Sequence, residues 1–169
     1  MKTIRHAVLV LFLAFAARAE EAEKGTRLRA SLVGTEETPA VFTAGSGEFT
    51  ARIVDNDTRI EFKLTYENLT APPLAAHVHF GQRNVAGGVS FFFCGGGGKP
   101  ACPASASGTV TGSVKATDIL GPVGQGIKAG GLDAILQMIR RGLSYANVHT
   151  PLHPTGEIRG QIEVGDGDD

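Results

Sequence analysis

Two runs of alternating apolar and polar residues, separated by three turn-forming residues, constrain the fold of this chain more than any other feature. Every second residue is apolar across residues 48–54 and again across residues 58–67. An alternation of period two is typical of a strand that packs one face against a core. Asp55-Asn56-Asp57 separates the runs, and Asp and Asn tolerate the left-handed backbone of a tight turn. The sequence therefore predicts a β-hairpin at this place.

The rest of the chain continues this pattern of short strands, with one exception. Further strands are predicted at residues 27–33, 75–81, 87–93, 107–114, 143–150 and 157–164. Near residues 131–141, Leu132, Ile135 and Ile139 recur at helical spacing, which predicts one short amphipathic helix. Because strands and helices do not alternate, we predict an all-β, antiparallel domain. A two-sheet, Greek-key-like β-sandwich is the preferred architecture, and a barrel is the alternative.

The two ends of the chain differ in character from the part between them. Residues 1–19 combine a basic start, an apolar run and the small-residue cleavage site Ala17-Arg18-Ala19. This pattern predicts a secretory signal peptide, and an uncleaved anchor is the alternative. The apolar run is too short to span a bilayer, and no later stretch is apolar for long enough. We therefore expect a flexible leader at residues 20–26, one domain at residues 27–165, an acidic tail at residues 166–169, and a secreted or periplasmic location.

Charge balance and cysteine content narrow the function classes. The chain has 16 Lys and Arg against 17 Asp and Glu, so no basic field favours nucleic acid as a partner. Cys94 and Cys102 are the only cysteines, and an even count in an exported chain predicts a disulfide. Their spacing differs from the short Cys-x-x-Cys of zinc sites. Asn56 and Asn68 match the N-glycosylation acceptor pattern, which we interpret as turn chemistry.

Four of the five histidines fall in two short segments, residues 75–81 and 147–154. His77 and His79 are two apart in a predicted strand, so they share the face that points away from the core. The same parity places His149 on the outward face of its own strand. If the two strands are neighbours, His149 supplies a third imidazole to one site on the outside of the domain. His153 lies beyond a proline, in a turn, and is the weakest candidate for a fourth ligand.

Convergent imidazoles without thiolates are typical of a transition-metal site. Copper is preferred by the usual order of affinities, and zinc is the alternative. The competing interpretation makes the histidines ordinary surface or hydrogen-bonding residues. Glu157 and Arg159 share a strand face and are interpreted as an exposed ion pair, with a role in orienting a histidine as the alternative. The sequence predicts no catalytic residue, because it contains no defensible Ser-His-Asp arrangement and no phosphate-binding loop.

Four motifs stand in order along the chain. They are Leu32-Val33-Gly34-Thr35-Glu36-Glu37-Thr38-Pro39, Ala76-His77-Val78-His79-Phe80-Gly81, Tyr145-Ala146-Asn147-Val148-His149-Thr150 and Gly156-Glu157-Ile158-Arg159-Gly160-Gln161-Ile162. Together they resemble the CHRD domain, which is named for chordin and also occurs in exported bacterial proteins. The resemblance spans about residues 28–164 and implies a β-sandwich whose biochemistry is poorly defined.

The His77-Val78-His79 strand is also similar to the copper-binding strand of copper/zinc superoxide dismutases, with His149 as a candidate third ligand. The bridging histidine and the zinc loop of those enzymes have no counterpart in this sequence. Three functions are therefore considered. The first is an exported protein that handles or stores copper. The second is a module for an extracellular or periplasmic protein partner, with structural histidines. The third, expected least, is a redox enzyme similar to superoxide dismutase.

Overall fold

The computed structural model describes residues 25–165 of the chain. The expected signal peptide at residues 1–19 and the acidic tail at residues 166–169 lie outside that range. Of the expected leader, only Gly25 and Thr26 are described, and Thr26 is already the first residue of a strand. Among residues 25–165, no helix is long and apolar enough to cross a bilayer.

Nine strands and one α-helix make up the regular structure within this range. The strands are β1 (Thr26–Val33), β2 (Ser46–Val54), β3 (Arg59–Glu67), β4 (Ala75–Phe80), β5 (Gly88–Cys94), β6 (Gly108–Val114), β7 (Ser144–His149), β8 (Ile158–Gln161) and β9 (Glu163–Val164). The helix α1 spans Leu132–Arg140, as the apolar spacing predicts. Single turns of 3-10 helix lie at Gly34–Glu36, Ala116–Asp118 and Val123–Gln125.

The strands follow one another in a single sheet that curls into a nearly closed barrel. Its order is β5-β4-β7-β8-β1-β2-β3-β6, with β9 also paired to β1, and neighbouring strands run antiparallel. The predicted all-β antiparallel domain with one helix is confirmed. The expected division into two sheets is not: β8 joins β7 to β1, which makes the hydrogen-bonded path continuous. At this joint β1 pairs with β8 at Val33↔Arg159 and with β9 at Leu28↔Val164 and Arg29↔Glu163.

The hairpin predicted from the first two runs forms between β2 and β3. Their register runs from Ser46↔Glu67 to Val54↔Arg59. Asp55, Asn56 and Asp57 turn the chain with φ values of 54°, 53° and 66°. These left-handed conformations cost little for Asp and Asn, whose short polar side chains bond to nearby backbone.

The apolar residues of the strands and of α1 fill one core. Phe49, Phe62 and Phe93 pack inside it, with ring centroids 5.2 Å apart for Phe49 and Phe93 and 4.7 Å apart for Phe62 and Phe93. The helix adds its apolar stripe to the same core: Leu132, Ile135, Leu136 and Ile139. Full burial of each such side chain contributes about 1.5–3 kcal/mol. The core thus holds the strands that carry the histidines in fixed positions.

Two local features complete the comparison with the sequence. The predicted disulfide is confirmed, since Cys94 at the end of β5 bonds Cys102. Gly95 after it has φ 74°, and an added Cβ would lie 2.1 Å from a backbone oxygen, so only glycine fits. The single strand predicted at residues 157–164 is wrong: Ile162 interrupts it between β8 and β9. Val164 is exposed rather than in the core.

Candidate metal centre

The two histidine segments are neighbouring strands of the sheet. The register of β4 and β7 pairs Ala75 with His149, His77 with Asn147 and His79 with Tyr145. Side chains two apart on one strand, and opposite each other on the next, project from the same face. The predicted convergence of His77, His79 and His149 is therefore confirmed. We call the polar side chains on this side of β4, β7 and β8 the histidine face: His77, His79, Tyr145, Asn147, His149, Arg159 and Gln161.

The three imidazoles lie close enough to bind one ion. The ring centroid of His77 is 4.5 Å from that of His79 and 4.4 Å from that of His149, and the His79–His149 separation is 6.3 Å. One nitrogen from each ring forms a set in which all members lie within 4.8 Å of one another. An ion between them would be reached at the ordinary metal–nitrogen distance of about 2 Å after small side-chain adjustments.

The histidine face is buried, and the prediction that it lies on the outside of the domain is wrong. His77 and His79 are only 7% and 8% exposed, and His149 is half-buried. The ring of Phe92 on β5 contacts His77, with centroids 4.8 Å apart. Loop residues bonded to the same face, among them Gly87, cover it further. Strand β4 therefore has protein on both of its faces.

Backbone carbonyls fix the tautomers of two of the rings. His79 Nδ1 lies 2.8 Å from the carbonyl oxygen of Gly87, and His149 Nδ1 lies 3.1 Å from that of Pro154. A carbonyl oxygen can only accept, so each Nδ1 carries the proton and donates. The lone pair of each neutral ring is then on Nε2, which is the atom left for a ligand bond.

Each ring keeps one buried nitrogen with no hydrogen-bond partner in the described part of the chain. These atoms are His77 Nδ1, His79 Nε2 and His149 Nε2. Leaving a buried polar atom unsatisfied costs about 1–3 kcal/mol. Seven such side-chain atoms occur within residues 25–165, and three of them meet here. A proton donor or a Lewis acid bound at this site would satisfy all three nitrogens.

Burial keeps the imidazoles in the neutral form that binds metals. Desolvation, with a smaller contribution from the other two rings, lowers the pKa of His77 to about 2. Desolvation likewise lowers the pKa of His79 to about 4, against the hydrogen bond to Gly87, which raises it. Burial also lowers the pKa of His149. At neutral pH no proton has to leave before an ion binds.

The family model of the CHRD domain matches residues 28–162, from the third residue of β1 to the residue after β8. The chain belongs to the CHRD domain family. The resemblance seen in the four sequence motifs is therefore confirmed, and all three clustered histidines lie inside the matched region. No curated protein matches this CHRD chain at a significant level.

Tyr145 and Arg159 brace His79 within the CHRD domain. The Tyr145 ring is stacked on His79, with centroids 4.6 Å apart and planes 7° from parallel. The Arg159 guanidinium carbon lies 3.5 Å from the centre of the Tyr145 ring. Tyr145 Oη also accepts a hydrogen bond from the backbone N–H of Gly87, at 3.1 Å. The residue whose carbonyl orients His79 is thus itself held by Tyr145.

Glu157 and Arg159 are not an exposed ion pair, and that interpretation is wrong. Both are buried, at 0% and 2% exposure, and no salt bridge joins them among residues 25–165. The Glu157 carboxylate accepts hydrogen bonds from four donors: Thr43 Oγ1, Thr70 N, Thr70 Oγ1 and Thr150 Oγ1. Glu157 therefore ties three loops together beside His149. Its role in positioning that histidine stays a prediction.

Arg159 holds the loops on the other side of the histidine face. It donates to Thr38 Oγ1 at 3.2 Å and to the carbonyl oxygens of Gln82 and Val85 at 2.9 and 3.1 Å. These partners are neutral, so the guanidinium charge is buried without a hydrogen-bonded carboxylate in the described chain. Because Arg159 also stacks on Tyr145, it connects the loops of Thr38 and of Gln82 and Val85 to strand β7.

His153 is not brought into the cluster. The group of residues within ligand distance consists of His77, His79 and His149. His153 sits in the turn after β7, where its backbone N–H donates to the carbonyl oxygen of Thr150 and its carbonyl accepts from Gly156. Its role as a fourth ligand stays a prediction.

Sequence reasoning missed one buried carboxyl group beside the site. Asn147 Nδ2 donates to Glu37 Oε1 at 2.6 Å and to the carbonyl oxygen of Ile158 at 2.9 Å. Burial raises the pKa of Glu37 to about 7, although the Asn147 hydrogen bond and the charge of Arg159 pull it down. Glu37 belongs to the first of the four sequence motifs, but it lies in an irregular segment with no periodic pattern that would predict its burial.

Proposed function

We propose that this CHRD domain binds a copper ion through His77, His79 and His149, and that it handles or stores the metal. The supporting observation is the meeting of three buried imidazole nitrogens that have no hydrogen-bond partner in the described chain. Two of the rings are oriented by backbone carbonyls in the way that protein ligands to metals commonly are. Neutral, pre-oriented lone pairs need a Lewis acid rather than an anion.

The donor set favours copper among the ions that imidazole suits. Three nitrogens without thiolates or carboxylates fit copper or zinc, and copper ranks higher in the usual order of affinities. Zinc, completed by a water molecule, is the alternative. His153 lies one residue before Pro154, whose carbonyl orients His149, and we keep it as the weakest candidate for a fourth ligand.

We place this function outside the cytoplasm. The Cys94–Cys102 disulfide supports an oxidising compartment, where such bonds persist. The signal-peptide pattern of residues 1–19 agrees with export. A secreted or periplasmic domain would meet free metal ions that the cytoplasm keeps scarce.

Metal titration of the metal-free protein tests the proposal. We expect one equivalent of copper per chain, measured by elemental analysis after desalting. The double variant His77→Ala with His79→Ala should lose this binding while keeping its circular dichroism spectrum. His153→Ala is the matched control, because it removes an imidazole outside the cluster, and it should still bind one equivalent. Binding that survives the double substitution, or its absence in the wild type, rejects the proposal.

A protein-interaction module is the second candidate function, and exposed apolar side chains favour it. Phe42 is fully exposed, and Leu152 and Leu74 are 67% and 55% exposed. They lie on three loops that meet near the end of β7, where Leu74 N–H bonds the His149 carbonyl. A partner from the exported fraction should then be retained in the presence of a chelator and lost with Phe42→Ser and Leu152→Ser together. Retention that instead depends on the metal would reject this candidate.

A further inference from the structure

The charge of the histidine site differs from that of most sites for divalent ions. Among the described residues, the group within ligand distance contains three histidines and no Asp, Glu or Cys. Neutral imidazoles bring no negative charge to offset a cation. An ion that enters this site therefore keeps its full charge in surroundings from which water is largely excluded, since His77 and His79 are more than nine-tenths buried.

Two buried charges of opposite sign, on Arg159 and Glu157, lie beside the site. Arg159 is 2% exposed and stacks on Tyr145, which in turn stacks on His79. Its hydrogen bonds go to a hydroxyl and to two carbonyl oxygens, so they do not neutralise it. Glu157 is fully buried beside His149, and its carboxylate accepts four hydrogen bonds from threonine donors. Because the charges of Arg159 and Glu157 have opposite signs, the preference for a weakly charged ion comes from the neutral ligands themselves.

Desolvation also favours a monovalent ion over a divalent one. The cost of moving an ion from water into a low-dielectric interior grows with the square of its charge, so a divalent ion of similar size costs about four times as much. Anionic ligands normally offset that cost. Here the offset comes only from the dipoles of three imidazole rings.

The number of donors points the same way. Zn²⁺ is almost always four-coordinate in proteins, and Cu²⁺ favours a tetragonal arrangement of at least four donors. Three protein nitrogens lie within ligand distance in the described chain, and His153 is not among them. A divalent ion would therefore need a water molecule as its fourth ligand in a site from which water is largely excluded, whereas three nitrogens are sufficient for Cu⁺.

We infer, on the basis of the proposed copper function, that the site selects monovalent copper, Cu(I), over both Cu(II) and Zn(II). The three neutral nitrogens and the lack of a fourth protein donor within ligand distance in the described chain both act against the divalent ions. The domain would then take up copper in its reduced state and hold it there. The selection lies in the neutral ligand set of the site, with no change of fold required.

Competition titrations on the full mature chain test this inference. Cu(I), kept reduced with ascorbate rather than with a thiol that would open the Cys94–Cys102 bond, is titrated against the chelator bicinchoninate. Zn(II) and Cu(II) are titrated against chromophoric chelators under otherwise equal conditions. We expect Cu(I) to bind at least about 100-fold more tightly than Zn(II), and the potential of the bound copper couple to lie well above that of aqueous copper.

A matched pair of substitutions separates charge from the loss of a ring. His149→Asn and His149→Asp both remove the third imidazole, but only the aspartate adds a negative charge to the site. We expect the ratio of Zn(II) to Cu(I) affinity to be at least about 10-fold higher in H149D than in H149N. Near-UV circular dichroism checks that both variants remain folded, and the same ratio compared between His79→Asp and His79→Asn gives a second test if they do not.

The outcomes distinguish this inference from the proposed function. Zn(II) or Cu(II) binding as tight as Cu(I) in the wild type would overturn the selection and leave the metal site intact. Equal ratios in H149D and H149N would remove charge as its cause and overturn it as well. If the wild type binds no metal at all, the proposed function fails and this inference fails with it.

Discussion

Two polar faces of the sheet arise from the same alternation of apolar and polar residues, but one is exposed to water and the other is buried. On β1, β2 and β3, the side chains that point away from the core are exposed and charged, and we call them the charged face: Arg29, Glu48, Arg52, Glu61 and Lys63. On the histidine face the equivalent positions are buried. Asn147 is 3% exposed, and Arg159 is 2% exposed. Alternation therefore decides which way a side chain points, and the loops decide whether water reaches it.

The difference in cover changes what each polar group must do. Side chains of the charged face are solvated by water, and ion pairs such as Arg59 with Glu61 contribute little. On the histidine face every buried donor and acceptor needs a partner inside the protein. Glu157 beside it finds four and Arg159 finds three, whereas three imidazole nitrogens and Gln161 Oε1 find none within residues 25–165. The three nitrogens differ from Gln161 Oε1 in lying together in one cluster, and this is why we propose a metal site there.

The largest difference should appear on removing one carboxylate from each region. Glu157→Ala leaves the hydroxyls of Thr43, Thr70 and Thr150 without their acceptor, so we expect the free energy of unfolding to fall by about 3 kcal/mol. Glu48→Ala on the charged face should change it by less than about 0.5 kcal/mol. Urea unfolding of both variants measures the difference. Similar losses for the two would mean that cover by loops has no energetic consequence.

A smaller but still clear difference is expected for the arginines. Arg159→Met removes three hydrogen bonds and the contact with Tyr145, and the remaining methylene groups keep part of the packing. We expect a loss of about 2 kcal/mol in the free energy of unfolding. Arg52→Met is the matched control in the charged face, and its effect should be close to zero. The comparison is contradicted if Arg52→Met costs as much as Arg159→Met.

Acid should destabilise the metal-free protein through the histidine face. The pKa of His77 and of His79 is lowered in the folded state, to about 2 and about 4, so unfolded chains bind protons that folded ones refuse. Stability conferred by these groups is present above the unfolded pKa of about 6.5 and is lost as the pH falls, until the folded pKa is reached.

Glu37 changes the pH dependence of stability in the opposite direction, so a variant without its carboxyl group provides a control. Its folded pKa is raised to about 7, so the folded state binds a proton between about pH 4.5 and 7 and gains stability as the pH falls. We expect a net loss of about 1 kcal/mol per pH unit between pH 6.5 and 5.5. Glu37→Gln should steepen that loss, as measured by urea unfolding at several pH values. A curve that is unchanged in this variant would contradict the assignment.

The smallest effect should come from one tyrosine hydroxyl. Tyr145→Phe keeps the ring stacked on His79 but leaves the Gly87 N–H without its acceptor, which we expect to cost about 1 kcal/mol. Tyr66→Phe is the control, because Tyr66 Oη is buried with no hydrogen-bond partner in the described chain. Its removal should be neutral or slightly stabilising. Thermal unfolding of both variants distinguishes the two hydroxyls, and a larger loss for Tyr66→Phe would reverse the expectation.

The sequence predicted the direction of the key side chains because direction depends only on local alternation. The parity of β4 and β7 placed His77, His79 and His149 on one face, and their register then brought them together. Burial of that face depends on irregular loop segments that carry no periodic signal. The same reason explains why Glu37 was not foreseen. Tyr145 and Asn147, in contrast, could have been assigned to the site once β4 and β7 were paired.

The sequence could not distinguish a sandwich from a barrel, for a different reason. Both architectures require the same alternation along each strand, and they differ in whether two particular strands touch. Here that contact is the pairing of β1 with β8 and β9, which involves three register pairs. Gly160 permits it, because an added Cβ at that position would lie 2.2 Å from the carbonyl oxygen of Ser31.

Two groups of strands meet where β8 pairs with β1. One group is β5-β4-β7-β8, and the other is β1-β2-β3-β6, with β9 paired to β1. The strands β4 and β7, which carry all three clustered histidines, pair directly with each other and belong to the same group. The spacing of the imidazoles is therefore set by the hydrogen bonds between β4 and β7 and does not depend on the pairing of β8 with β1. A substitution that weakened the pairing of β8 with β1 would therefore leave the mutual distances of the three nitrogens unchanged.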